Sequence, residues 1–122
     1  MTSANKAAVF ALTLLFMCAC RHVSERELLT GSWKYGSVKK GDSSVFAIGD
    51  YDELHLNPDS TFSYQIESVN KNMKGSWKYE DHILRLKYTQ PDTTRYFEVD
   101  VLSTHDLKFH EGAVKFEFSR ID

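Results

Sequence analysis

The chain has 122 residues, with 15 Lys and Arg against 17 Asp and Glu, and a formal net charge of −2. That length holds one small core and leaves no room for a second domain. The lack of a basic surplus excludes a nucleic-acid binder, which needs a cationic face, and an aromatic content of 13% favours strands over helices.

The first element in chain order is an export signal. Lys6 precedes an uncharged run, residues 7–20 (AAVFALTLLFMCAC), and Arg21 and the stretch Ser24-Glu25-Arg26-Glu27 follow it. A basic start, an apolar middle and a small-residue exit are the marks of a secretion signal. As a helix the run would reach about 21 Å, short of the roughly 30 Å of a hydrocarbon core, so it does not read as a spanning segment. Both cysteines, Cys18 and Cys20, lie at its exit. Two residues apart, they could form only a strained bridge that staples nothing.

Residues 15–20 (LFMCAC) resemble a bacterial lipoprotein box. In that family a small residue precedes a cysteine that receives a diacylglyceryl group and becomes the new N-terminus. Ala19 matches the small position and Cys20 the lipidated one, while Met17 stands where Leu is usual. The resemblance implies cleavage of a signal peptide, residues 1–19, and a protein held by acyl chains at the cell envelope, on the outer membrane. Two or more chains hold a protein firmly where one does not. The alternative is ordinary secretion with a spare thiol. Removing residues 1–19 leaves 103 residues and takes away one basic group, Lys6, so the remainder carries a formal charge of −3.

Residues 20–30 read as a tether and a short helical turn. Ser24 with Glu27 three places on is a capping-box pattern, and Leu28 and Leu29 supply an apolar patch. From Gly31 the apolar period changes to two. Trp33 and Tyr35 alternate with polar residues, as do Leu54 and Leu56, then Phe62, Tyr64 and Ile66, then Trp77 and Tyr79. Leu84, Leu86 and Tyr88 follow, then Phe97, Val99 and Val101, then Leu107 and Phe109, then Val114, Phe116 and Phe118. These are eight strands, each with one apolar and one polar face. Between them stand turn signals such as Asn57-Pro58-Asp59-Ser60, Glu80-Asp81-His82 and Glu111-Gly112. Short links force successive strands to be antiparallel neighbours, and closing the sheet removes its two raw edges. The expected fold is all-β: a small eight-stranded antiparallel up-and-down β-barrel over residues 31–122.

One pentapeptide recurs. Gly31-Ser32-Trp33-Lys34-Tyr35 returns as Gly75-Ser76-Trp77-Lys78-Tyr79. The repeat predicts two equivalent strand starts, each with a Gly that lets backbone approach closely and a Trp that fills the end of the core.

With the Gly-x-Trp openings at Gly31 and Gly75, the Leu-x-Leu-Asn-Pro-Asp-Ser-Thr-Phe run at 54–62, and the terminal Phe116-x-Phe118-x-Arg120-Ile121, the chain resembles the lipocalin-like domains of bacterial envelope lipoproteins. The resemblance implies that Trp33 closes one end of the barrel and that Arg120 lies across it as a structural lock. Residues 39–50 (KKGDSSVFAIGD), with the apolar core Val45-Phe46-Ala47-Ile48, resemble the lid loop at a lipocalin's open end, and the alternative is that they plug the barrel or form an edge strand. Ligand-carrying lipocalins are longer than this chain.

Two functions stay open. In the first, the barrel binds a small apolar or amphipathic ligand that enters under residues 39–50 and meets Tyr35, Phe46, Ile48, Leu54, Phe62, Tyr64, Tyr79 and Phe97. In the second, large rings fill the barrel and the protein is an interaction or inhibitor module for an envelope partner. A connected cavity of about 300 Å³ or more beneath Phe46 favours the first, and a solid core the second. No nucleophile–base pair and no phosphate-cradling loop is visible, so neither an enzyme nor a cofactor is expected. The five histidines, His22, His55, His82, His105 and His110, share no metal-ligand spacing, and surface roles are expected of them.

Overall fold

A computed structural model describes residues 23–122. The signal segment 1–19, the start of the tether and both cysteines lie outside the described residues. A single-turn helix, α1 (Glu25–Leu29), comes first. The Ser24 hydroxyl accepts the Glu27 N–H at 3.2 Å, the N-cap that the sequence pattern predicts.

Nine strands follow: β1 (Gly31–Lys40), β2 (Ser43–Ser44), β3 (Glu53–Leu56), β4 (Thr61–Ile66), β5 (Lys71–Glu80), β6 (Ile83–Tyr88), β7 (Thr93–Leu102), β8 (Asp106–Glu111) and β9 (Val114–Arg120). Every sequential neighbour from β3 to β9 pairs antiparallel, β1 pairs with β3, and β9 returns to β1. Eight strands therefore close into a barrel. The ninth element, β2, is a two-residue edge strand on the end of β1, at Lys39 opposite Ser44 and Lys40 opposite Ser43.

Alternation fills the interior. Trp33, Leu54, Leu56, Phe62, Trp77, Leu84 and Leu107 are all buried, and stacks of rings such as Phe97–Phe109–Phe116 occupy one side. Two bulges reset the phase. In β1 the pairing with β9 slips between Tyr35 and Ser37, where Gly36 lies close against the Glu117 carbonyl, and this turns Val38 inward in place of Ser37. In β7 the pairing with β8 slips between Val99 and Val101. Val101 consequently faces solvent, 40% exposed, and Leu102 packs on the core. The unbroken phase expected through Val101 is thus corrected by one inserted residue, Asp100.

The repeated pentapeptide is also used unequally. Gly31 opens β1 at φ 140°, but Gly75 lies in the middle of β5 rather than at a strand start. A side chain at Gly75 would meet the Lys87 carbonyl oxygen at 1.9 Å and Phe62 at 2.9 Å. Close approach, not strand entry, is what Gly75 provides there.

Candidate functional site

The two ends of the barrel differ. At one end α1 lies against the strands and two Trp–Arg pairs close the core. The Arg120 guanidinium sits 4.2 Å from the Trp33 ring centre, and that of Arg26 sits 4.5 Å from Trp77. Both indoles are hydrogen bonded, Trp33 Nε1 to the Leu29 carbonyl at 2.9 Å and Trp77 Nε1 to the Asn57 carbonyl at 3.0 Å. Arg120 also donates to the carbonyls of Leu28, Thr30 and Thr104, so one side chain ties the last strand to the end of α1. Arg26 donates to the Pro58 carbonyl and the Ser60 hydroxyl.

The other end holds a cavity of about 330 Å³. Phe46, Leu54, Phe97, Phe109 and Phe116 form its apolar walls, with Val45 and Val69 at the rim. On one side polar groups converge. The hydroxyls of Tyr64 and Tyr88 lie 2.9 Å apart, and Arg95 Nη1 donates to Tyr88 at 3.5 Å. Arg95 is held by both carboxylate oxygens of Glu111, with its Nε donating at 2.9 Å, and its guanidinium lies over Phe97 at 5.1 Å. The hydrogen bond to Glu111 raises the pKa of Arg95, so the guanidinium keeps its charge, and the ion pair with Glu111 balances it. Burial pushes the phenol of Tyr35 well above its ordinary range, and the nearby Tyr64 and Tyr88 add to the shift. Tyr88 rises for the same first reason, with the Tyr64 hydrogen bond second. The phenols of Tyr35 and Tyr88 are therefore neutral at physiological pH. The arrangement offers an apolar chamber with a cluster of hydroxyl and guanidinium groups on one wall.

Loop 45–52 covers the gap that opens between β1 and β3. Its Phe46 and Ile48 pack on the core, while Val45 N–H bonds back to the Val38 carbonyl at 2.9 Å. Asp52, fully buried, holds the loop. One carboxylate oxygen accepts Gly49 N–H at 2.8 Å, and the other accepts Glu67 N–H at 3.0 Å from the 3₁₀ turn Glu67–Val69. Ser68 adds a bond to the Ala47 carbonyl at 2.6 Å. Segment 39–50 thus contains both an edge strand and an apolar cover.

The residues named from sequence as ligand contacts divide into three groups. Phe46, Leu54, Tyr64 and Phe97 line the cavity together. Tyr35, Ile48 and Phe62 pack outside its lining: Tyr35 against Phe118 at 4.6 Å, Ile48 on the core beneath the loop, and Phe62 edge-on to Tyr88 at 5.3 Å. Tyr79 lies at the opposite end, its hydroxyl bonded to the Glu25 carboxylate, so it does not meet a molecule in the cavity. Trp33 and Arg120 stand together at the closed end. Cys20 lies outside the described residues.

Sequence reasoning did not name Arg95, Glu111 or Tyr88 as site residues. The signal was present, since Arg95 stands two before Phe97 and Glu111 two after Phe109, in the inward phase of their strands. Arg26 and Asp52 carried no such signal: the partners of Arg26 are more than 30 residues away, and Asp52 lies in a loop without alternation and joins Gly49 to the distant Glu67. Among the described residues no group of side chains has the makings of a metal site, and no helix is long and apolar enough to cross a membrane.

No family model matches this sequence, and no curated protein matches it. Solved structures do match the fold. A lipocalin-like protein from Bacteroides uniformis ATCC 8492 superposes with a TM-score of 0.63 at 14% identity, covering 77% of this chain and 99% of that one. An uncharacterized protein from Bacteroides eggerthii DSM 20697 gives 0.62 at 13% identity, covering 75% and 98%. With the closed antiparallel barrel of β1 to β9, these likenesses show that the chain has a lipocalin-like fold.

Proposed function

We propose that this protein is a non-enzymatic envelope lipoprotein, anchored through acyl chains on Cys20, whose barrel binds one small amphipathic molecule. The cavity of about 330 Å³ beneath Phe46 carries this reading. It stands at the small end of ligand sites, which run from about 300 to 1,000 Å³. Its walls are apolar and its polar groups are few and convergent, the usual composition of a small-molecule pocket. The apolar body of the ligand packs on Phe97, Phe109 and Phe116. Its polar end accepts hydrogen bonds from the Tyr64–Tyr88 pair. Because Glu111 already neutralises Arg95, a neutral or weakly polar head suits the site better than a strong anion.

Native mass spectrometry of protein purified from its own envelope tests the reading directly: one small molecule per chain is expected. A fluorescent fatty acid such as cis-parinaric acid serves as a surrogate. Val114→Trp, at the half-buried rim, should fill the chamber and abolish probe binding with little loss of stability. Absence of any co-purifying molecule, with equal probe binding by Val114→Trp, sinks the ligand role. Separately, Cys20→Ser should release the protein from membranes, and continued tight association refutes the lipid anchor.

A further inference from the structure

The outer wall of β4 to β7 carries a charge pattern that the barrel itself does not need. Lys74, Lys78, Arg85 and Lys87 all point outward here, and among the described residues none lies within 4.0 Å of a carboxylate. Lys78 and Arg85 stand directly opposite each other across the β5–β6 pair. Like charges in that relation destabilise a sheet. Lys87 follows Arg85 two places along the same face, and Lys74, opposite Thr89, stands diagonal to Lys87. The cations thus form one contiguous lattice on a chain whose net charge is negative. On the β7–β9 face, by contrast, several charges are matched: Lys108 meets Glu117 at 3.6 Å, and His110 meets Asp100 at 2.7 Å and Glu98 at 3.1 Å.

The wall is also hollowed. Three adjoining depressions of about 590, 440 and 220 Å³ run along β5 and β6, sharing Ser76 and Lys87, then Lys78, Arg85 and Tyr96. Hydroxyls of Thr61, Ser63, Ser76 and Thr94 line this trough between the cations, and the carboxylates of Glu80 and Asp81 bound it at the far end of the third depression. Tyr96, 57% exposed, stands opposite Arg85 and presents an aromatic ring to solvent.

We propose that this trough is a binding site for a linear acidic glycan, a chain of sugars bearing carboxylate or sulfate groups. The cations meet its charges, and Arg85 can bind a carboxylate through two parallel bonds. The serine and threonine hydroxyls match sugar hydroxyls. The electron-rich face of Tyr96 suits the C–H bonds on one side of a sugar ring. Elongated and shallow, with cations and hydroxyls along a floor that Phe62, Gly75 and Tyr88 help to form, the trough fits an extended chain and not a compact molecule. Other polyanions fit less well. A protein interface is depleted in Lys and Ser, which are abundant here. A membrane-docking face needs apolar side chains that protrude and insert, and here Phe62 and Tyr88 at the trough floor are buried and Ile83 is half-buried, so that Tyr96 alone stands out. A single-stranded nucleic acid is bound on several aromatic platforms, and here there is one.

The full chain carrying Cys20→Ser, which removes any acyl chain, is titrated calorimetrically with polygalacturonate and with chondroitin sulfate. Neutral dextran, a single-stranded oligonucleotide and phosphatidylglycerol vesicles are the comparison arms. Expected is binding to an acidic glycan that weakens by about tenfold between low and physiological salt, with none to dextran. The pair Lys78→Glu and Arg85→Glu should weaken it by at least about tenfold. Tyr96→Ala should weaken it by roughly fivefold at unchanged charge. Lys108→Glu, on the opposite wall, should leave it unchanged. With no ligand present, Lys78→Gln should raise the melting temperature, because it relieves the opposed charges. The proposal is overturned by binding neither acidic glycan, by binding the oligonucleotide or the vesicles at least as tightly, or by indifference to the double charge reversal. A fall in melting temperature on Lys78→Gln overturns it too.

Discussion

The two ends of the barrel are built from the same strands and do different work. At the closed end every polar atom that burial threatens is met: each indole N–H has a carbonyl, and each ring has a guanidinium above it. At the open end the strands splay, β1 parts from β3, and a loop held by a single buried carboxylate covers the gap. Rings pack tightly below, and above them space remains. A barrel of this size can be nearly solid and still keep a chamber, provided that stability is concentrated away from the mouth. Lids and binding loops are commonly the less stable parts of a fold for the same reason.

The contrast predicts an order of effects. Trp33→Ala empties the closed end, and should cost about 4 kcal/mol, the scale of a large ring lost from a core. Chemical denaturation would read this as a fall in midpoint, and an unchanged midpoint would mean that the closed end does not carry the fold. Asp52→Ala comes next. It strips two N–H groups of their charged acceptor, for roughly 3 kcal/mol, and should also speed hydrogen exchange at Gly49 and Glu67 beyond the rest of the chain. Uniform exchange would show that the loop is not held there. Arg120→Ala should follow at about 2 kcal/mol, from a cation–π contact and carbonyl bonds at a half-buried site. Lys108→Ala is its exposed control, and equal melting temperatures for the two variants would remove the lock.

The smallest effect is electrostatic. The hydrogen bond to Asp100, aided by Glu98, raises the pKa of His110 above its usual value, while Lys115 stands opposite on β9. A raised folded-state pKa means stability that is fully present below the unfolded value of about 6.5. It is lost as pH climbs through the folded value. His110→Gln should flatten that slope, visible as a smaller change in melting temperature from acid to mildly alkaline pH. An unchanged slope assigns it elsewhere.

Alternation made the eight barrel strands legible, and Ser24 and Glu27 made the helix start legible. Where the sequence misled, a partner strand was responsible. Nothing in the run Phe97 to Val101 announces that Asp100 is an extra residue, since a bulge exists only relative to the β8 register. Likewise Gly75 looks like Gly31 until Lys87 is placed against it. Tyr79 has the inward phase of Trp77, and alternation alone could not tell which end of the barrel it would reach. The charged lining of the cavity was passed over for a different reason. Arg95 and Glu111 fall in inward phase, but a pattern of apolar residues does not register an ion pair that neutralises itself. Asp52 is buried without any local pattern, because its partners, Gly49 and Glu67, lie on two separate loops.

β9 pairs on one edge with β8 and on the other with β1, matching Arg120 to Trp33 across most of the chain. A ring joined between β1 and β9 cannot close until β9 has been made. Until then β1 and β8 each present an open row of amides and carbonyls, the geometry that invites pairing with another chain. Contacts of such long sequence separation also make folding slow. A truncation before Val114 would therefore expose two adhesive margins at once, and aggregation, more than loss of any ligand, would be its first consequence.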